Sequence, residues 1–149
     1  MQQTPDQIRA SIKERYSKLA CSPDAERTFP VGPGSAKAVG YPADEIDRLP
    51  SPVTESFAGV GNPFLLGEIN SGQTVLDLGC GAGMDALLAA RKVGPSGKVI
   101  GVDITEEMIQ KSQVAFKAIP GCKFAPRCPY RMEICETKAP ELFLPERDR

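Results

Sequence analysis

Histidine is absent from the 149 residues. That omission removes imidazole general-base catalysis, every Ser-His or Cys-His nucleophile pair and the commonest zinc ligand. Neither sign of charge is in excess, because 18 Lys and Arg against 19 Asp and Glu leave a formal −1. Such a balance offers no electrostatic grip on nucleic acid or anionic lipid, so neither partner is expected. No uninterrupted apolar run approaches the length of a membrane span. The stretch Met1 to Gln7 has neither a basic nor an apolar block, so no leader is read there and a cytoplasmic location is expected. Cys-x-x-Cys pairs are missing too. The five cysteines, an odd number, read as reduced thiols rather than a disulfide framework.

Hydrophobic residues make up 41% of the chain, enough to supply a core without disulfides or metal. Thr4 is placed to cap a helix, Pro5 suits its first position, and Gln7 sits where its side chain can bond back to the Thr4 N–H. Ile8, Ile12, Tyr16 and Leu19 then recur at helical spacing, predicting an amphipathic packing helix to about Ala20. From Cys21 to Gly40 the prolines and glycines, without apolar periodicity, predict a loop or an extended crossing. Asp44 to Leu49 reads as a short helix ended by Pro50 and Pro52. Gly59 to Pro63 reads as a punctuated loop, and Phe64 to Ile69 as a second short helix.

The informative region opens at Gln73. Thr74-Val75-Leu76-Asp77-Leu78 is β-branched and apolar and too short for a helix, and it runs into Gly79-Cys80-Gly81-Ala82-Gly83. Met84 to Val93 is helical in composition, Gly94-Pro95-Ser96-Gly97 stops it, and Lys98 to Asp103 reads as a second buried strand. Thr105, Glu106 and Glu107 open a further helix to about Lys117. The order β-α-β-α implies parallel strands joined by a crossover.

Glycines at alternate positions allow positive φ and let a ligand approach a backbone without Cβ atoms, while the helix from Met84 aims free N–H groups across the gap. A triphosphate loop is excluded, since no Gly-Lys-Ser/Thr follows. The dinucleotide fingerprint fits poorly, because Met84 stands where its third glycine belongs. Asp103 ends the second strand twenty residues after Gly83, where its carboxylate can accept both hydroxyls of a ribose. Asp77, near the end of the first strand, can accept from a ligand ammonium directly or through water. For each acid taken alone, a solvated strand-end carboxylate is the competing reading. Their joint spacing with three glycines favours a nucleoside site.

Val75 to Gly83 resembles the first motif of the S-adenosylmethionine-dependent methyltransferases of the seven-strand fold. Asn62-Pro63, Leu87 to Pro95 and Gly101 to Met108 extend the likeness toward the arsenite methyltransferase branch, over about residues 8 to 116. The resemblance implies S-adenosylmethionine as cofactor, with Gly79, Gly81 and Gly83 receiving its methionine part, Asp103 its ribose, and Ile104 and Met108 flanking the adenine. Asp85 would cap the helix or touch the ligand. The implied chemistry is an SN2 transfer of the sulfonium methyl to a small acceptor, in which alignment matters most and no side-chain base is obligatory, so no catalytic residue is assigned. In the arsenite branch the acceptor is As(III) held by thiolates, one of them in a Gly-Cys-Gly-Asn-Pro loop. Here Val60 fills that position, and an isopropyl group cannot ligate arsenic. Cys21, in the proline-rich stretch, is a weak substitute ligand.

The expected fold is therefore α/β, an incomplete Rossmann-like methyltransferase fold. Residues 1–70 would form a helical cap, 71–117 a partial cofactor-binding domain, and 118–149 an irregular Cys/Pro-rich tail. Gly121-Cys122-Lys123-Phe124-Ala125-Pro126-Arg127-Cys128-Pro129-Tyr130, with Cys135 and Pro140, resembles the end of oligopeptide and dipeptide ABC-transporter ATPases, suggesting a fusion near Ala118 to Gly121. Cys122, Cys128 and Cys135 are one thiol short of a four-cysteine site, so no metal is expected. Two strands cannot have both faces covered as in the family, which predicts exposed apolar edges, self-association or weak activity. The competing reading is a non-catalytic fragment or interaction module.

Overall fold

A computed structural model describes residues 4–94 and 96–118. The first helix, α1 (Pro5–Cys21), begins with the expected capping box: Gln7 N donates to Thr4 Oγ1 at 3.3 Å and Thr4 N to Gln7 Oε1 at 2.9 Å. Its N-terminal half stays exposed on most sides, and burial begins at Leu19 and Ala20.

The Cys21 to Gly40 stretch is more regular than its composition predicts. It holds a 3-10 turn at Pro23–Ala25 and a helix, α2 (Gly32–Ala38). Pro33 sits in the first turn, where its missing N–H costs nothing. The Gly32 N–H bonds Phe57 O at 2.8 Å, and Ala36 is wholly buried, so tertiary contact compensates for low propensity. Two short helices follow, α3 (Ala43–Asp47) and α4 (Ser51–Thr54). The second uses Pro52 as a starter residue, although the sequence suggested a stop there. The helix expected over Phe64 to Ile69 shrinks to a 3-10 turn, Pro63–Leu65, capped by the Asn62 side chain.

Two strands, β1 (Thr74–Leu78) and β2 (Lys98–Val102), pair in parallel from Thr74 opposite Lys98 to Leu78 opposite Val102. Between them lies α5 (Met84–Val93), ended by Gly94 at φ +67°, and after them α6 (Glu106–Ala118). The described chain is thus an α/β arrangement with the β-α-β-α order of an incomplete Rossmann-like fold.

One hydrophobic cluster joins Ala36, Tyr41, Ile46, Val53 and Phe57 of the N-terminal segment to Leu87 and Leu88 of α5. A second joins Leu19 and Ala20 of α1 to Ala82 of the glycine loop and Met108 of α6. These two clusters hold the N-terminal helices over the loop. Lys111 ties the same parts together: its Nζ reaches Glu55 Oε1 at 2.6 Å, Ser56 Oγ at 2.7 Å and Ala20 O at 2.9 Å. Among the described residues no such cover lies over the outer positions of the strands, where Leu76 and Leu78 are 56% and 76% exposed. Among the described residues no helix is long and apolar enough to cross a membrane.

Candidate functional site

The loop between β1 and α5 is shaped by backbone that side chains avoid. Gly79, Gly81 and Gly83 all have positive φ, at +79°, +51° and +90°. Their surroundings differ. A Cβ on Gly79 would meet nothing within 4 Å and one on Gly81 only Met108 Sδ at 3.9 Å, so both backbones are open to a ligand. A Cβ on Gly83 would come within 2.7 Å of Ser112 Oγ and 3.1 Å of Phe116. Gly83 therefore lets α6 close against the loop, and it is not a wall residue of the cavity described next.

That cavity has a volume of about 640 Å³, within the range of small-molecule sites. Gly79 to Ala82 form its floor, Asp103, Ile104 and Met108 one side, and Ile12 and Tyr16 of α1 another. Phe57 to Val60 complete the rim, with Val60 99% exposed. Ile104 is exposed toward this space, whereas Met108 is almost fully buried, so of the two apolar residues Met108 serves chiefly as core.

Asp103 joins the loop to the second strand. Its Oδ2 accepts from the Gly81 N–H at 2.9 Å and its Oδ1 from the Thr105 N–H at 2.8 Å. Each oxygen retains a lone pair, so the carboxylate can still accept two hydroxyls of a diol. The Gly79 and Cys80 N–H groups both bond Val102 O, at 2.7 and 3.0 Å, which fixes the loop against the end of β2.

Asp77 stands off the cavity wall, and its Oδ2 is buried with no hydrogen-bond partner among the described residues. Burial pushes its carboxyl above the usual carboxylate range and the neighbouring Asp85 charge adds to this, against an opposing Ala86 N–H. An orphaned buried acceptor beside the loop suits a cationic donor. Asp85 does line the cavity, at the start of α5, and burial raises its carboxyl too. The Tyr41 hydroxyl donates to its Oδ1 at 2.6 Å and opposes that rise. Cys80 is a poor nucleophile: burial, with the charges of Asp77 and Asp103 behind it, pushes its thiol up to about 11.

Gly79, Gly81, Asp103 and Ile104 thus gather around one cavity, while Asp77 and Gly83 adjoin it from outside. Sequence reasoning missed Tyr41 and the Phe57 to Ala58 wall. No spacing rule links Tyr41 to Asp85, 44 residues away. The stripe of Ile12 and Tyr16 was readable as a docking face, but not what it would dock over. Among the described residues no group of acids and cysteines is gathered to hold a metal. Cys122, Cys128, Cys135 and the transporter-like tail lie outside those residues.

The glycine turn, bonded to the carboxylate at the end of the second strand, thus lies beside one cavity in an incomplete Rossmann-like α/β fold. A family model described as a methyltransferase domain matches residues 69–124 of the chain. The chain is 35% identical over 129 residues to an arsenite methyltransferase of Halobacterium salinarum, covering 73% of this chain and 31% of that protein. It is 47% identical over 49 residues to a demethylmenaquinone methyltransferase of Symbiobacterium thermophilum, covering 33% and 20%. Over 45 residues it is 47% identical to a 23S rRNA (uracil(1939)-C(5))-methyltransferase of Acinetobacter baumannii, covering 30% and 10%. The chain spans about a third or less of the length of these relatives. No solved structure matches it.

Proposed function

We propose that the chain binds S-adenosylmethionine in the cavity above the glycine loop and presents its methyl group to a small acceptor. The observation that carries this reading is the 2.9 Å bond from the Gly81 N–H to Asp103 Oδ2, which brings the bare backbone and the acid to one side of the cavity. Asp103 would accept the ribose hydroxyls with its remaining lone pairs, and Gly79 and Gly81 would admit the methionyl chain. Ile104 would lie along the adenine. Asp77 and Asp85 would face the ammonium end, Asp77 through water. Gly83 would act by packing the loop. In this reading residues 1–70 are the cap and 71–117 the cofactor-binding part.

When bound, the sulfonium supplies an activated methyl group for in-line displacement, the methyl passing to the acceptor's lone pair and the thioether leaving. The protein's part is alignment and exclusion of water by α1 and the Phe57 to Val60 rim. The chain has no histidine and, among the described residues, no activated thiol stands at the wall to act as a base; an acceptor that is already nucleophilic needs none. Arsenite is the acceptor named for the Halobacterium relative. Its chemistry favours soft thiolates, and the two described cysteines offer an exposed Cys21 and a protonated Cys80. Arsenite or another small acceptor is therefore proposed, with the cytoplasm as the setting. Isothermal titration with S-adenosylhomocysteine should give saturable binding, and radiolabelled methyl transfer should identify the acceptor from arsenite with glutathione and a panel of thiols. A folded sample that gives neither heat nor thermal stabilisation ends the proposal.

A second reading, a non-catalytic methyltransferase-fold module that associates with a partner or with itself, rests on one feature. Among the described residues nothing packs over Leu76 and Ile100, 56% and 39% exposed, and Leu78 and Val102 continue that sheet face to the cavity lining. Binding of S-adenosylhomocysteine without turnover of any acceptor would favour it. A transporter-type tail fused to such a module is its extended form.

A further inference from the structure

We propose that Tyr41 is a positioning residue: from the cap segment it holds the Asp85 carboxylate so that the second oxygen faces the cavity and receives a cationic group of the ligand. This rests on the reading of the cavity as an adenosyl-sulfonium site. The hydroxyl is 2.6 Å from Asp85 Oδ1 and 3.5 Å from Gly61 O, and the ring beneath it is 3% exposed. Two edge-on aromatic contacts, with Phe57 at 5.5 Å and Phe64 at 6.2 Å between centroids, fix that ring. A phenol so confined cannot follow a moving carboxylate. It therefore sets where the carboxylate stands.

The charge around the cavity gives the arrangement its consequence. Among the described residues Asp85 and Asp103 line it, and no Lys or Arg does. The titratable groups facing Asp85 are Tyr41 from the cap and Asp77 from β1, with Asp103 beyond Asp77. Lys92 is turned onto the Phe64 ring, 5.2 Å from its centroid, and pairs with no acid among the described residues. A wall of this sign prefers a ligand carrying net positive charge, as S-adenosylmethionine does, over its neutral thioether product. The preference requires Asp85 to stay ionised in a half-buried place. The phenolic donor stabilises that form, and its loss would let burial raise the Asp85 carboxyl further.

The test uses the full chain as wild type, Tyr41→Phe and Asp85→Asn. Titration with S-adenosylmethionine and S-adenosylhomocysteine is run near about pH 5.5 and about pH 8, with melting curves alongside. Tyr41→Phe keeps the ring packing and should weaken S-adenosylmethionine about tenfold at the acid pH and about twofold at the alkaline one. Asp85→Asn should weaken it equally at both and reduce, with Asp103 still in the wall, the discrimination against the thioether. Carbon-detected NMR titration of the ligand-free chain should show the Asp85 carboxyl moving upward in Tyr41→Phe. The inference is overturned if Tyr41→Phe leaves both the pH profile and the Asp85 titration as in wild type. If wild type binds neither ligand, the cavity reading fails and the ligand role falls with it, while the NMR titration still decides whether Tyr41 holds Asp85.

Discussion

The Gly81 N–H and the Asp103 carboxylate, 22 residues apart in sequence, meet at 2.9 Å, and the second oxygen of the same carboxylate accepts the Thr105 N–H at 2.8 Å. One side chain thereby orders both the glycine loop and the entry to α6. Asp103→Ala should remove partners from two backbone donors at once, lowering stability by about 1–3 kcal/mol. The same change should reduce affinity for S-adenosylhomocysteine by at least about tenfold. Asp103→Asn, which keeps one acceptor, should fall between. Calorimetric melting and titration check both; an alanine variant that binds as wild type removes Asp103 from the site.

Gly79 and Gly83 should respond unequally to alanine. Gly79→Ala meets open space and carries only the strain of positive φ, about 1–2 kcal/mol. Gly83→Ala adds a collision with Ser112 and Phe116 and should cost about 2–4 kcal/mol. Urea unfolding ranks them. Ligand affinity should rank them the other way once folding is corrected for, since Gly79 faces the cavity and Gly83 does not.

Asp77 and Asp85 both have carboxyls raised by burial. For an acid raised in the native state, folding takes up protons, so this contribution to stability declines as pH rises from the unfolded value, about 3.9, through the native one, and is flat above. Asp77→Asn should remove its part of that decline and stabilise the ligand-free chain at neutral pH. Denaturation midpoints across acid to neutral pH measure this; unchanged midpoints in the variant would show that Asp77 is not strained.

Lys111→Ala should unfasten α1 and α4 from α6, since its ammonium serves Glu55, Ser56 and Ala20 O. A loss of about 1–3 kcal/mol is expected, because the partners are partly buried. Hydrogen exchange should rise first in Leu19 to Ser22, and uniform exchange along the chain would contradict the clamp.

The open sheet face carries a prediction of its own. Leu76→Lys, opposite Ile100 in the ladder and off the cavity wall, should lower dye binding and any concentration-dependent sedimentation while leaving the melting temperature nearly unchanged. A fall in sedimentation for wild type and variant alike would place association elsewhere.

Much of the central unit was legible because it is written locally. The capping box at Thr4, the bounds Thr74 to Leu78 and Met84 to Val93, and the parallel pairing all follow from residue types within a few positions of each other. The Cys21 to Gly40 stretch misled because its order comes from afar: Gly32 is held by Phe57 O, and Ala36 by a core drawn from α3, α4, α5 and α6. Leu65 and Leu66 misled in the other direction. They read as helix but are 72% and 91% exposed, and without burial a short helix there gains too little to extend beyond one turn.

For the candidate site the division is similar. Sequence alone determined the glycine loop and the acid at the end of the next strand, because positive φ demands glycine and a β-α-β unit returns its second strand beside the first. Only the tertiary structure decided which glycines line the cavity, that Asp77 lies off its wall, and that the Tyr41 hydroxyl bonds Asp85. Those outcomes depend on how segments tens of residues apart share one core, and a buried hydroxyl finds its carboxylate through packing that local residue order does not encode.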